Sequence, residues 1–132
     1  MMLIPTYVAP SRIEGVGVFA AEDIPAGTLI WRLDPTLDRL LSKDDIAALS
    51  EVHQAFVERY GYPYPHDRSM MIVELDNGRF MNHSTVPNTS FSNPDAGFTR
   101  VAIAAHEELI CDYSEFDPSF EILPGRLFVS VT

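Results

Sequence analysis

Cysteine is almost missing from this 132-residue chain, with Cys111 the single one. A secreted domain of this size usually relies on paired cysteines, and a Cys-rich zinc site needs several, so the chain has the means for neither. The four histidines are scattered without metal-ligand spacing, and no metal is expected. Basic residues are also scarce: nine Lys and Arg stand against nineteen Asp and Glu, a formal net charge of -10. Phosphate backbones demand a basic patch, so no nucleic-acid partner is expected; a basic partner suits the charge better, although acidity also serves plain solubility. No apolar run approaches the roughly 18 residues of a membrane span, so no membrane partner is expected. Met1-Met2-Leu3-Ile4-Pro5 has neither the basic region nor the apolar stretch of a signal peptide. The expected location is therefore cytoplasmic, or nuclear in a eukaryote. Repeats, low-complexity tracts and linkers are absent too, and the length predicts one domain over 1–132.

What is present reads as a folded domain, 46% hydrophobic and 21% charged. The first third alternates strand and turn signals: Val16-Gly17-Val18-Phe19-Ala20, the turn Pro25-Ala26-Gly27, then Thr28-Leu29-Ile30-Trp31. Between Ser42 and Tyr60 the period changes to that of a helix, with Ile46, Leu49, Phe56, Val57 and Tyr60 on one face. Ser42 and Asp45 form its capping box, and Gly61 and Pro63 end it. Apolar runs return at Met70 to Leu75, Phe98 to Ile103 and Leu109 to Cys111, with a turn at Asp76-Asn77-Gly78. Asn82 to Pro94, rich in Asn, Ser, Thr and Pro, predicts an irregular loop, costly in so small a domain unless it serves a purpose. The tail 114–132 includes Leu127 to Val131, a last strand or a flap. The expected fold is mostly β with one helical insert over about 42–60.

Three segments carry a resemblance. Glu14-Gly15-Val16-Gly17-Val18-Phe19-Ala20 precedes Asp23-Ile24-Pro25-Ala26-Gly27; Gly78-Arg79-Phe80-Met81-Asn82-His83-Ser84 precedes Pro87-Asn88; Glu107-Glu108-Leu109-Ile110-Cys111-Asp112-Tyr113 closes the series. In this order and separation they resemble the SET-domain family of protein lysine methyltransferases, across residues 12 to 113. The resemblance implies a β-clip-like SET fold of short strands in which the Asn-His-Ser and Asp-Tyr segments cross as a pseudoknot beside the cofactor. It implies S-adenosylmethionine as cofactor, lysine in a protein or peptide as substrate, and Tyr113 as the catalytic group, its hydroxyl directed at the methyl and the lysine nitrogen.

Cofactor contacts implied by the family fall on Gly15, Val16 and Gly17, where missing side chains let main chain approach a ligand, although an ordinary strand bend would also use glycine. They fall further on Asn82, for the amino-acid end, and His83, against the adenine. Arg79 serves either the cofactor carboxylate or the crossing, and Asn and Ser here can also satisfy their own backbone. The family often has Phe or Tyr two residues before the catalytic Tyr; Cys111 either leaves room there for further methyl groups or is a buried filler. Tyr60, Tyr62 and Tyr64 either line the lysine channel or simply pack.

The chain departs from the family in two ways. With one Cys it cannot build the Cys-rich segment that often closes the channel, and Phe116, Phe120, Phe128 or a second subunit in a homodimer would have to serve. The stretch Ala102 to Glu108 is shortened, with His106 in a glycine place, so that a positive φ there would strain the turn before Tyr113 by about 1 kcal/mol. The two functional readings are therefore an active methyltransferase and a catalytically silent SET-like module that binds a peptide or partner protein. A Cys or Ser hydrolase is excluded because no nucleophile, base and acid form a consistent set.

Overall fold

A computed structural model describes residues 1–117. The opening strands β1 (Thr6–Pro10) and β2 (Val16–Ala20) form an antiparallel hairpin whose two faces differ. Val18 and Ala20 point inward and are fully buried, while Phe19 on the other face stacks on its cross-strand partner Tyr7 at 5.6 Å. Strand β3 (Leu29–Arg32) follows the turn at Pro25 to Gly27, where Gly27 takes φ +76. Strand β4 (Arg39–Leu41) then leads into the helical insert.

That insert is two helices rather than one: α1 (Lys43–Ala47) and α2 (Glu51–Tyr60). Ser42 and Asp45 form the expected capping box, but Ser50 caps again by accepting from the His53 amide, and the Gln54 side chain takes the freed Leu49 carbonyl at 3.0 Å. Local hydrogen bonding by a serine has won over continued helix. Of the five apolar residues expected on one face, only Val57 is buried, and Phe56 is 45% exposed, so the pair lies on the surface.

Past Gly61, β5 (Tyr62–Tyr64), absent from the expected elements, pairs with β6 (Asp67–Val73), which also pairs with β4. The turn at Asp76 is a 3-10 turn over Asn77–Phe80, its Gly78 amide capped by the Asp76 carboxylate. The loop expected over Asn82 to Pro94 holds two short strands, β7 (Asn82–His83) and β8 (Thr89–Ser90). Beyond it come β9 (Ala96–Thr99), shorter than the expected Phe98 to Ile103 run, and β10 (Glu108–Cys111). Ile103 makes an isolated bridge to Ile24 instead.

Three sheets result among the described residues, ordered β1-β2-β10-β7, β3-β9-β8 and β4-β6-β5. The core lies between the first two and is built from Val18, Ala20, Ile30, Trp31, Ile103 and Leu109. This mostly-β arrangement with few short helices is the expected fold class, with β10 at its centre.

Candidate functional site

Strand β10 is bonded on both edges, antiparallel to β2 and parallel to β7, and the parallel edge brings the two strongest motifs together. Ile110 pairs with Asn82 and Cys111 with His83, and the Ser84 amide donates to the Cys111 carbonyl at 3.0 Å. Asn88 acts as a side-chain rung. Its amide nitrogen donates to the Glu108 carbonyl and its oxygen accepts from the Ile110 amide, each at 2.8 Å. Thr89 adds a bond to the Ile110 carbonyl at 2.8 Å. Residues 82 to 90 are thereby clasped to 108 to 111 along their length, the adjacency the resemblance implies.

Tyr113 stands at the end of this clasp. Its amide donates to His83 Nδ1 at 2.9 Å, and its hydroxyl donates to the Met81 carbonyl at 2.5 Å. The rings of Tyr113 and His83 lie 5.2 Å apart. Burial, with the Cys111 sulfur adding to it, pushes the Tyr113 phenol well above its usual range. Burial also lowers His83, against the pull of Asp112, 3.7 Å away. An Nδ1 that accepts from a main-chain amide carries no proton, so the neutral ring holds its hydrogen on Nε2.

The glycine segment meets this pair from the β2 side. Gly15 takes φ +48, and a Cβ on it would meet nothing within 4 Å, so its main chain faces open space. Gly17 serves a different purpose from the expected ligand approach: a Cβ there would stand 2.5 Å from Glu108 Oε2 and 3.1 Å from Asn82 Nδ2. The vacated volume houses a carboxylate and an amide. Asn82 Nδ2 donates to the Glu14 and Val16 carbonyls at 3.2 and 3.0 Å and to Glu108 at 3.1 Å, while Ser11 donates to both Glu108 oxygens. Asn82 therefore fastens the glycine segment to β10, and Val16, 42% exposed, contributes a carbonyl to that knot.

The remaining expected residues separate. Arg79 donates to the Leu75 and Asp76 carbonyls and lies over the Phe80 ring at 4.5 Å, bound within its own turn. Cys111 is buried, with its sulfur 3.6 Å from the Asn82 carbonyl, and burial raises its thiol well above the ordinary range. The three tyrosines do not share one channel: Tyr60 packs on Phe80 at 5.6 Å, Tyr64 on His66 at 5.4 Å, and Tyr62 on Phe116 at 5.0 Å. Strand alternation and the helix end turn them to different neighbours. Phe116 follows the 3-10 turn Tyr113–Glu115 and joins Tyr62 and Phe91 in an aromatic cluster. Phe120, Phe128 and the 127–131 segment lie outside the described residues.

The shortened turn has the strained backbone that the glycine place foretold. His106 takes φ +71, and its ring is held by Tyr7 Oη at 2.8 Å. Its amide still reaches the Ala20 carbonyl at 2.7 Å, so β10 enters its ladder in register.

Sequence reasoning missed the carboxylates around this frame. Glu108 is a half-buried anchor, bonded by Ser11 and Asn82 and signalled only by its place in the Glu-Glu-Leu motif. Glu74 is 7% exposed and accepts from Tyr62 Oη at 3.0 Å. Burial pushes it up to about 7, against the Met1 amine, with the Asp76 charge adding to the rise. No spacing in the sequence marks it, because its partners come from distant elements.

Comparison with known proteins agrees with the geometry. The SET domain family model matches residues 15–114. No curated protein matches the chain by sequence. Among solved structures, a humanized Chaetomium thermophilum Polycomb Repressive Complex 2 bound to an inhibitor is similar at TM-score 0.62 and 21% identity, over 86% of this chain and 15% of that one. A form of that complex in an autoinhibited conformation bound to S-adenosylmethionine gives TM-score 0.63 and 22% identity, over 86% and 16%. A candidate histone methyltransferase from Plasmodium falciparum gives TM-score 0.60 and 18% identity, over 85% and 95%. The chain thus spans about a seventh of the polycomb chains and nearly all of the Plasmodium one. With three motifs joined around β10 and the family model covering them all, the chain belongs to the SET domain family.

Proposed function

We propose that this protein transfers a methyl group from S-adenosylmethionine to the side-chain amine of lysine in a protein substrate. The observation that carries the reading is the meeting of Asn82, His83 and Tyr113 where β7 runs beside β10. S-adenosylmethionine supplies, when bound, an electrophilic methyl on a sulfonium. The residues present suit it. Gly15 leaves open main chain for a ligand to lie against, and His83 offers a flat, neutral, buried ring beside Tyr113. Asn82 spends its donor hydrogens on protein carbonyls, so its part is to hold the glycine segment in place.

Tyr113 remains a neutral phenol at any physiological pH because burial opposes its ionisation. It is therefore no general base. Donating to Met81 fixes its ring, and its oxygen then acts towards an incoming amine as an acceptor that sets direction. Desolvation in such a setting favours the neutral amine, the form that can attack. The net charge of -10 favours a basic substrate segment and speeds encounter with it.

Calorimetric titration with S-adenosylmethionine and S-adenosylhomocysteine tests this reading. Wild type and Tyr113→Phe are expected to bind alike, with methylation of lysine peptides lost only in the variant. Asn82→Ala is expected to weaken binding by about tenfold or more, since it releases the glycine segment. Absence of binding to well-folded wild type would overturn the reading and leave the silent peptide-binding module.

A further inference from the structure

The end of β10 opposite to Tyr113 carries a groove that the proposed reaction centre does not use. Glu107 directly precedes that strand and Tyr113 lies two residues beyond it, so the two stand up to roughly 20 Å apart at about 3.3 Å per residue. The groove has a volume of about 420 Å³. Asp23, Ile24 and Pro25 line it from one segment, and Ala102, Ile103, Ala104 and Glu107 from another. Two reciprocal main-chain bonds join these segments: the Ile24 amide donates to the Ile103 carbonyl at 2.7 Å, and the Ile103 amide to the Ile24 carbonyl at 2.9 Å. Asp23 Oδ1 accepts from the Ala105 amide at 2.8 Å, and the Ala20 amide donates to the Glu107 carbonyl at 2.9 Å. The groove is therefore held in shape before any partner arrives.

Its lining is apolar with charge of one sign. Ile24 and Ile103 are buried, Pro25, Ala102 and Ala104 are exposed, and Val101, next in the chain, is 53% exposed. The polar side chains on it, among the described residues, are the exposed carboxylates of Asp23 and Glu107. Residues 20–28 and 101–107 add one further acid, Glu22, and contain no lysine or arginine. No ion pair among the described residues engages any of the three. The His106 ring nearby is already engaged by Tyr7 Oη.

Charge complementarity selects the occupant. Whatever covers the groove strips water from two carboxylates, and a partner without a cation would leave them uncompensated. Phosphate, an anionic membrane surface and an acidic peptide all meet like charge. A two-fold contact with a second copy at this face sets Asp23 and Glu107 against the same pair. Lysine and arginine fit, because each combines an apolar stem, which can lie on Pro25, Ala102 and Ala104, with a charged head that reaches out to the carboxylates. The net charge of -10 draws such a segment in from a distance.

We propose that this groove is a docking site for a basic segment of a partner protein, which lays a Lys or Arg stem along Pro25, Ala102 and Ala104 and sets its cation against Glu107 and Asp23. It is a binding surface at the far end of β10 from Tyr113, and it stands whether or not the methyltransfer reading does.

The test follows the amide resonances of the isotopically labelled full chain as capped peptides are added: Gly-Arg-Arg-Val-Gly, Gly-Lys-Lys-Val-Gly and Gly-Glu-Glu-Val-Gly. Saturable shifts centred on Asp23, Ala102, Ala104 and Glu107 are expected with the two basic peptides, the tighter one naming the head group. These should weaken as salt is raised, and the acidic peptide should move none of them. Glu107→Gln should weaken the basic peptides about two- to fivefold. Ala104→Lys, which puts a like charge into the groove, should weaken them roughly tenfold or more. Tyr113→Phe should leave the titration unchanged. An equal response to the acidic peptide, shifts confined to the surroundings of Tyr113, full affinity in Ala104→Lys, or no saturable response to either basic peptide would overturn the proposal. Shifts at the same residues when the chain alone is diluted would name a second copy as the occupant and overturn it too.

Discussion

His106 concentrates the residue-scale lesson. A non-glycine residue at φ +71 costs on the order of 1 kcal/mol, and the Tyr7 hydroxyl offsets part of that by holding the ring. His106→Ala keeps the strain and discards the bond, whereas His106→Gly discards both. Thermal denaturation should therefore rank His106→Gly more stable than His106→Ala by about 1 kcal/mol; the reverse order would mean that the turn carries no strain. The glycine place was legible from the motif, but the compensating tyrosine was not, because it stands 99 positions earlier. Gly17 makes the same point. Its spacing marked it, while the carboxylate that fills its vacated volume comes from the far end of the chain.

At the scale of elements, the β7–β10 clasp depends on one amide as much as on its strands. Asn88 supplies both a donor and an acceptor to β10, as a strand residue would, from a loop where no ladder could form. Asn88→Ala would leave the Glu108 carbonyl and the Ile110 amide unmatched, and should cost about 2–3 kcal/mol in urea denaturation. Asn88→Asp, keeping the acceptor and losing the donor, should fall between the two. A loss under 0.5 kcal/mol for the alanine variant would show that water replaces the rung. The helical insert was readable in its first cap and its end but not in its break at Ser50, since a serine in an apolar period serves equally as a helix surface residue or as a cap.

For the whole molecule, two buried groups set opposing pH dependences. Glu74 has a folded value of about 7, above the ordinary carboxyl value of 4.5, so the native state binds more protons and loses stability as pH rises between those limits. The amount is on the order of 3 kcal/mol at most. His83 is lowered, so below its ordinary value of 6.5 the unfolded state binds the extra proton and stability falls as pH falls. Denaturation of Glu74→Gln at a series of pH values is expected to flatten the decline between about pH 4.5 and 7 and to expose the His83 slope below 6.5. A curve unchanged from wild type would show that Glu74 ionises freely. The Tyr62 bond to Glu74 also joins this carboxyl to the aromatic cluster of Tyr62, Phe91 and Phe116.

The sequence by itself determined the β-rich class and the strands flanking the motifs, and its three motif segments carried the resemblance that named the SET family and singled out Asn82, His83 and Tyr113 as candidates. The elements follow from turn chemistry and alternation, and the family from the likeness of the motif residues in their order, all of which are local or nearly so. Only the tertiary structure decided that Asn82 spends its amide on the glycine segment, that Arg79 stays within its own turn, and that three neighbouring tyrosines look three ways. It alone assembled Glu74 with Tyr62, and Tyr62 with Phe116. Burial and hydrogen-bond partnership arise from residues tens of positions apart, and no periodicity in one strand of text records who will stand opposite whom.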